Sequence, residues 1–387
     1  MERFTGSFTQ QEPIPDAAIA AALEVLQGGR LHRYNTAPGE RAPAAALEVE
    51  FAAFTGARYA LAVASGGYAM GCALRAVGVG PGDRVLSNAF TLAPVPGAIA
   101  SVGATPVFVG VTEGLTIDLD DLAAKAGQAR VLLLSHMRGH IADMDALMAL
   151  CDAHGITVIE DCAHTMGAGF AGTPSGRHGA IGCYSVQTYK HMNAGEGGFI
   201  VTDDPQIAAR AVLLSGSYML YDRHEAAPPP EAFEALRLQT PNVSGRMDNL
   251  RAAILRPQLA ALPEQVARWN ARYDTVAAGL EGTPGLTPVH RHPKAEPVGS
   301  SIQFLLLDWP APAIRDVLAR CAARGVELKW FGAPDPVGFT SAYPSWQYAP
   351  SDPMPATDRI LAGIVDMRLP LTFSLQDCEL IARIIRA

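Results

Sequence analysis

The chain has 387 residues, 49% hydrophobic and 18% charged. At about 100–200 residues per domain this predicts two to three domains, and the composition excludes disorder as the main state. Thirty Lys and Arg against 38 Asp and Glu leave a formal charge of −8, which argues against nucleic acid and against an anionic membrane surface as partners.

The N-terminal MERFTGSFTQQEPIPD has no basic segment followed by an apolar one, so no signal peptide is read and a cytoplasmic location is expected. From Ala60 to Asp204 short apolar runs alternate with helix-length segments. The predicted strands are Ala60–Ala64, Arg84–Ser87, Thr105–Val109, Val131–Ser135, Thr157–Glu160, Ile181–Ser185 and Gly198–Thr202. Continuous runs such as VLLL and TVIE fit strands covered on both faces. Crossover helices are expected over Tyr68–Val77, Pro94–Ser101 and Ala146–His154. The uncharged run Leu92–Val111 is about one membrane span long, but its three prolines and three glycines read as helix, turn and strand. The fold class is therefore α/β, with a three-layer α/β/α arrangement about a mostly parallel sheet and ligands at the carboxyl ends of the strands.

After Asp204 the pattern changes. Pro228–Pro230 mark a loop, and Arg246–Leu280 reads as one long helix, broken or kinked near Pro257 and Pro263. The remainder mixes strands (Ile302–Leu307, Val326–Trp330) with helices (Pro312–Arg324, Thr357–Val365, Leu375–Ile385). The expected division is a large α/β domain over 1–245 and a smaller α+β domain over 246–387 that begins with the long helix. The six cysteines are scattered without a C-x-x-C pair, so buried thiols are expected, with no metal site or disulfide framework.

Four elements carry candidate chemistry. Ser65-Gly66-Gly67 follows a strand and precedes a helix, where free N–H groups and the helix dipole favour phosphate; an ordinary tight turn has the same pattern. Asp161, in VIEDCAH, ends an apolar strand, and His164 lies three residues on. Either can bind a ligand, or serve as a loop-start carboxylate and a structural imidazole. Ser185 ends another strand. Lys190, five residues on, sits in a short loop between buried strands, where desolvation lowers an amine's pKa as a Schiff-base lysine requires; snorkelling to solvent is the bland alternative. Gly195-Glu196-Gly197-Gly198 leads into the next strand. Together these fit pyridoxal 5′-phosphate, which needs a lysine, an acid for its ring nitrogen and a phosphate cup.

Over nearly its whole length the chain resembles the DegT/StrS-type sugar aminotransferases, within the fold-type I pyridoxal phosphate enzymes. The resemblance runs through Gly82–Val111, HMRGHIADMDAL, EDCAHTMGA, SVQTYKHMNAGEGGFIVTDD, NVSGRMDNLRAAILRPQL and MRLPL. It implies that Lys190 bonds to the cofactor, that Asp161 keeps the pyridine nitrogen protonated, and that His164 lies near the 3-hydroxyl. It also implies that Ser185 and Gly66-Gly67 bind phosphate and that Asn242 reaches the phosphate of the other subunit of a homodimer. The implied activity is transfer of an amino group from glutamate or glutamine to a nucleotide-linked keto sugar or a keto cyclitol, in biosynthesis of an amino sugar or secondary metabolite.

The chain departs from the family pattern at several positions. Gly67 stands where the family has a phosphate-binding hydroxyl, Leu92 where it has a ring-stacking aromatic, Met137-Arg138 within its H-L-Y-G, and Asn242 is followed by a stretched NVSGR. Acceptor contacts are expected in Leu31–Asn35, Tyr218–His224 and Lys329–Phe331. Competing functions are a sugar dehydratase or lyase on the same scaffold, in whose dehydratase branch His replaces the lysine, and a non-catalytic sensor. A nicotinamide oxidoreductase lacks its G-x-G-x-x-G after the first strand.

Overall fold

In the computed structural model, which describes residues 2–338 and 340–387, two helices precede the first strand: α1 (Asp16–Gly28) and α2 (Pro43–Thr55). The α/β segment then runs β1 (Tyr59–Val63), α3 (Gly66–Ala76), β2 (Arg84–Asn88), α4 (Pro94–Ser101), β3 (Thr105–Val109), α5 (Leu119–Lys125) and β4 (Val131–Ser135). It continues through α6 (Met144–Ala153), β5 (Thr157–Asp161), the short strands β6 (Gly169–Phe170) and β7 (Thr173–Pro174), β8 (Ile181–Ser185), β9 (Gly198–Thr202) and α7 (Pro205–Ser215).

The seven main strands form one sheet in the order β1-β9-β8-β5-β4-β2-β3. β9 is antiparallel to both its neighbours and the other pairs are parallel, so the mostly parallel α/β expectation holds. Side chains alternate between two cores. Leu132, Leu134, Val158 and Phe199 face the α2 side, where Phe51 stacks on Phe199 at 3.9 Å. Val131, Leu133, Ile159 and Ile200 face α3, α4 and α7. That double burial is why the strands read as unbroken apolar runs.

The helix α8 (Asn249–Leu280) is continuous over 32 residues, with Pro257 and Pro263 inside it. It packs on α1 and α2 and on the C-terminal helix, and this packing overrides the break that local propensity suggests. Beyond it come β10 (Thr287–Pro288), β11 (Ala295–Glu296), β12 (Ser301–Leu305), α9 (Ala311–Ala323), β13 (Lys329–Trp330), α10 (Pro355–Gly363), β14 (Ile364–Arg368) and α11 (Leu375–Arg386). β14 ends within MRLPL (Met367–Leu371), and a Ser374–Asp377 capping box starts α11 shortly after it.

A second sheet has the order β10-β12-β14-β13. One face, with Ile302, Phe304, Val365 and Met367, joins a third core shared with α9, α11 and the N-terminal Phe4 and Phe8. The alternate residues Ser301, Gln303, Asp366 and Arg368 lie on the opposite, polar face, since strand side chains alternate. No helix among the described residues is long and apolar enough to cross a membrane.

Candidate active site

Parallel pairing sets β4 beside β5, with Ser135 opposite Asp161 at the carboxyl ends. The Ser135 hydroxyl donates to Asp161 Oδ2 at 2.9 Å, and the Ala163 N–H donates to Oδ1 at 3.1 Å. Asn88 in turn brackets the Ser135 backbone, accepting from its N–H at 2.8 Å and donating to its carbonyl at 3.0 Å. A buried carboxylate at a strand end is thereby fixed in one orientation, with its acceptor capacity partly open.

Lys190 lies in the turn after β8, its N–H bonded to the Gln187 carbonyl at 2.8 Å. Its Nζ is 2.9 Å from His164 Nε2. Burial first, then the Arg138 and Arg368 guanidiniums, push the lysine down to about 7, against the pull of Asp161. Burial and the Lys190 and Arg138 charges hold His164 well below its usual range, so its imidazole is neutral at pH 7. The pair can exchange a hydrogen bond without either member holding a permanent charge.

The third part is a cradle. The Ser65 hydroxyl caps α3 by accepting from the Tyr68 N–H at 3.0 Å, leaving the first-turn N–H groups facing the space above Gly66 and Gly67. Gly66 must be a glycine: a Cβ there would lie 2.8 Å from Ser185 Cβ. Gly67 is under no such constraint, its nearest neighbour being Ser65 Oγ at 3.9 Å from a built Cβ. The hydroxyl absent from Gly67 is thus a chemical departure with room left for a side chain.

These elements line one cavity of about 400 Å³, which brings together Gly66, Gly67, Leu92, Asp161, His164, Ser185 and Lys190. Asn242 is not among its lining residues. It is exposed, with Oδ1 accepting from the Ser244 N–H at 3.0 Å.

The profile of the DegT/DnrJ/EryC1/StrS aminotransferase family matches residues 14–387. The chain belongs to this family. It is similar to a dTDP-3-amino-3,4,6-trideoxy-alpha-D-glucose transaminase of Streptomyces venezuelae, 36% identical over 293 residues that cover 73% of this chain and 69% of that protein. An L-glutamine:scyllo-inosose aminotransferase of Streptomyces griseus is 34% identical over 257 residues, 65% of this chain and 60% of that one. Among solved structures, S. venezuelae DesV superposes with a TM-score of 0.80 at 28% identity, covering 98% of both chains. A 3-amino-5-hydroxybenzoic acid synthase gives 0.83 at 27% identity, again with 98% of both chains covered.

The family's cofactor is pyridoxal 5′-phosphate, and the cavity fits it. The cradle that a Cβ at Gly66 would fill, closed by Ser185, suits a phosphate. Asp161 offers an anion for a pyridinium nitrogen, Lys190 an amine for an aldehyde, and Leu92 an aliphatic wall for a ring.

Several features departed from expectation. The Leu31–Asn35 and Tyr218–His224 loops do not line the cavity; they are tied to one another. Tyr34 Oη is 2.7 Å from His224 Nε2, and Arg33 Nη2 is 3.0 Å from His224 Nδ1. Arg33 is also bidentate to the buried Glu48 at 2.8 Å. The Lys329–Phe331 segment does not line it either: Phe331 packs at 5.2 Å on Phe90. Conversely, Ser135, Tyr189 and Arg368 line the cavity without having stood out as site residues, and Arg138, marked only as a departure within the family's H-L-Y-G, lines it too. Arg368 was legible in the apolar–polar alternation of Val365-Asp366-Met367-Arg368-Leu369, the signature of a strand with one wet face. Arg138 has only its departure from H-L-Y-G as a signal, because its left-handed backbone, φ 56°, leaves no periodic trace.

Proposed function

We propose that this chain moves an amino group from glutamate or glutamine to a keto sugar linked to a nucleotide, or to a keto cyclitol, and that it works as a cytoplasmic homodimer. The convergence of Lys190, Asp161 and the Gly66–Ser185 cradle in one cavity carries this reading. The relatives' substrates, a dTDP-linked amino sugar and scyllo-inosose, supply the acceptor class.

When bound, the cofactor supplies the aldehyde that accepts the amino group and the ring that stores an electron pair. The chain's residues do the rest. Lys190, whose amine burial brings down to about 7, would be the base that moves the proton between the donor's α-carbon and the cofactor. Asp161, oriented by Ser135, holds a proton on the ring nitrogen by charge. His164 steadies Lys190 Nζ from 2.9 Å without adding positive charge. The α3 N-terminus and Ser185 anchor the phosphate. Asn242, exposed next to Val243, would supply the contact to the phosphate of a second copy.

The test is the half-reaction. Glutamate or glutamine added to the loaded enzyme should convert the cofactor's aldehyde absorbance to that of its amine form, and a keto sugar or cyclitol should reverse it. A wild-type enzyme whose spectrum is unmoved by both donors would overturn the proposal.

A further inference from the structure

The phosphate cradle is short of donors. The Tyr68 N–H is taken by the Ser65 hydroxyl, so the first turn of α3 offers the N–H groups of Gly66 and Gly67, and Gly67 brings no hydroxyl. Ser185 adds one, its oxygen accepting a long 3.4 Å bond from the Gln187 N–H. A phosphate presents three strong acceptor oxygens, each with room for more than one hydrogen bond. Within one protomer, two N–H groups and one hydroxyl leave part of that capacity unmet.

Gln187 stands beside this gap. It lines the same cavity, half-buried, two residues beyond Ser185 in the turn that carries Lys190. Its backbone nitrogen is 3.4 Å from Ser185 Oγ, and Ser185 is the residue that a Cβ on Gly66 would strike, so Gln187 begins at the cradle's edge. Its side chain is oriented. Oε1 accepts the Tyr189 N–H at 2.9 Å, and only the oxygen of a carboxamide can accept. The NH2 group is therefore the free end, with no hydrogen-bond partner among the described residues. The Gln187 carbonyl separately accepts the Lys190 N–H at 2.8 Å, so the turn is braced without using the NH2.

Resting on the cofactor fit described above, we infer that Gln187 binds the cofactor's phosphate, its NH2 supplying the donor that Gly67 lacks. A hydrogen bond from a neutral amide to an anion is among the stronger kinds, and it places no further charge in a cavity already lined by Lys190, Asp161 and Glu196. The departure at Gly67 and the glutamine at 187 are then two halves of one arrangement. A hydroxyl absent from α3 is offset by an amide in the turn after β8.

The probes are pyridoxal 5′-phosphate and pyridoxal, which has the same ring and aldehyde without the phosphate, each titrated into the cofactor-free full chain by equilibrium dialysis. Q187L should weaken the phosphate form by about tenfold to a hundredfold. Q187E keeps the oxygen that accepts from Tyr189 and puts an anion in place of the NH2, so at about pH 8 it should weaken that form further. Both should leave pyridoxal affinity unchanged. G67S restores a hydroxyl where there is room, the nearest atom to a built Cβ being 3.9 Å away, so G67S with Q187L should recover most of the loss. The phosphorus resonance of the bound cofactor should move in Q187L and return in the double variant. Unchanged pyridoxal binding certifies each fold, and Q187E, which retains the Tyr189 bond, keeps the test available should Q187L not fold. An equal loss for both probes would make Gln187 a brace of the turn alone and overturn the proposal. So would intact phosphate-form binding with a defect confined to the acceptor half-reaction. A wild-type enzyme that favours the phosphate form but never converts it with a donor would instead refute transamination and leave the role of Gln187 standing.

Discussion

Removing the Lys190 amine should stabilise the cofactor-free protein near neutral pH. Burial and the two arginines bring this ammonium from 10.5 to about 7. Between those values the unfolded chain holds a proton that the folded chain has released, so stability rises with pH across that window. At about 1.4 kcal/mol for each pH unit separating the two states, leaving the amine uncharged opposes folding by about 4 kcal/mol at pH 7.5. Lys190 is only partly buried, and solvent screening halves this to about 2 kcal/mol. Lys190→Met fills a similar volume without the charge. In urea titrations of the two cofactor-free proteins, the variant should be more stable by about 2 kcal/mol at pH 7.5, the gap closing to under about 0.5 kcal/mol by pH 10.5. Groups common to both proteins cancel in the difference. A gap that does not change with pH, or a wild type that is the more stable at pH 7.5, would refute the assignment of a desolvated amine.

Gly66→Ala should weaken cofactor retention on dialysis by about tenfold or more, since its Cβ lands 2.8 Å from that of Ser185 and overpacking costs about 1–3 kcal/mol. Gly67→Ala, with nothing nearer than 3.9 Å, should retain cofactor as the wild type does. Asp161→Asn should slow the donor half-reaction, followed in single turnovers, by about a hundredfold or more, because a buried ring nitrogen loses its charged partner. Glu48→Gln should lower stability by about 3–5 kcal/mol without moving the cofactor spectrum, because it leaves Arg33 buried and unpaired. Burial raises the Glu48 carboxyl, but Arg33 and His224 outweigh it and hold it at about 2. Its contribution is therefore complete above about pH 4.5 and lost as pH falls toward 2.

The central sheet was legible because each strand is buried on both faces: a five-residue apolar run such as Val131–Ser135 is its own signal. α2 was not, although it is a regular helix. PAAALEVEFAAFT is wrapped by protein, with Leu47, Glu48 and Phe51 all fully buried, and so shows no amphipathic stripe. The expected helix Thr357–Val365 runs two residues into β14, since Gly363 closes α10 and Ile364 opens the strand with no loop between them, and Asp366 and Arg368 fall in no expected element. Lys190, Asp161 and the cradle could be assembled in advance because the spacing of chemically unusual residues carries them. Ser135 could not, and Arg138 stood out only as a departure from the family's H-L-Y-G, because pairing across strands and a left-handed turn bring them in.

The chain has four lysines, Lys125, Lys190, Lys294 and Lys329. Borohydride reduction of the protein reconstituted with pyridoxal 5′-phosphate, followed by peptide mass mapping, therefore tests the central claim directly. One pyridoxyl group on the peptide holding Lys190, and none on the other three, is the predicted result; a Lys190 peptide that stays unlabelled while another lysine carries the group would contradict it.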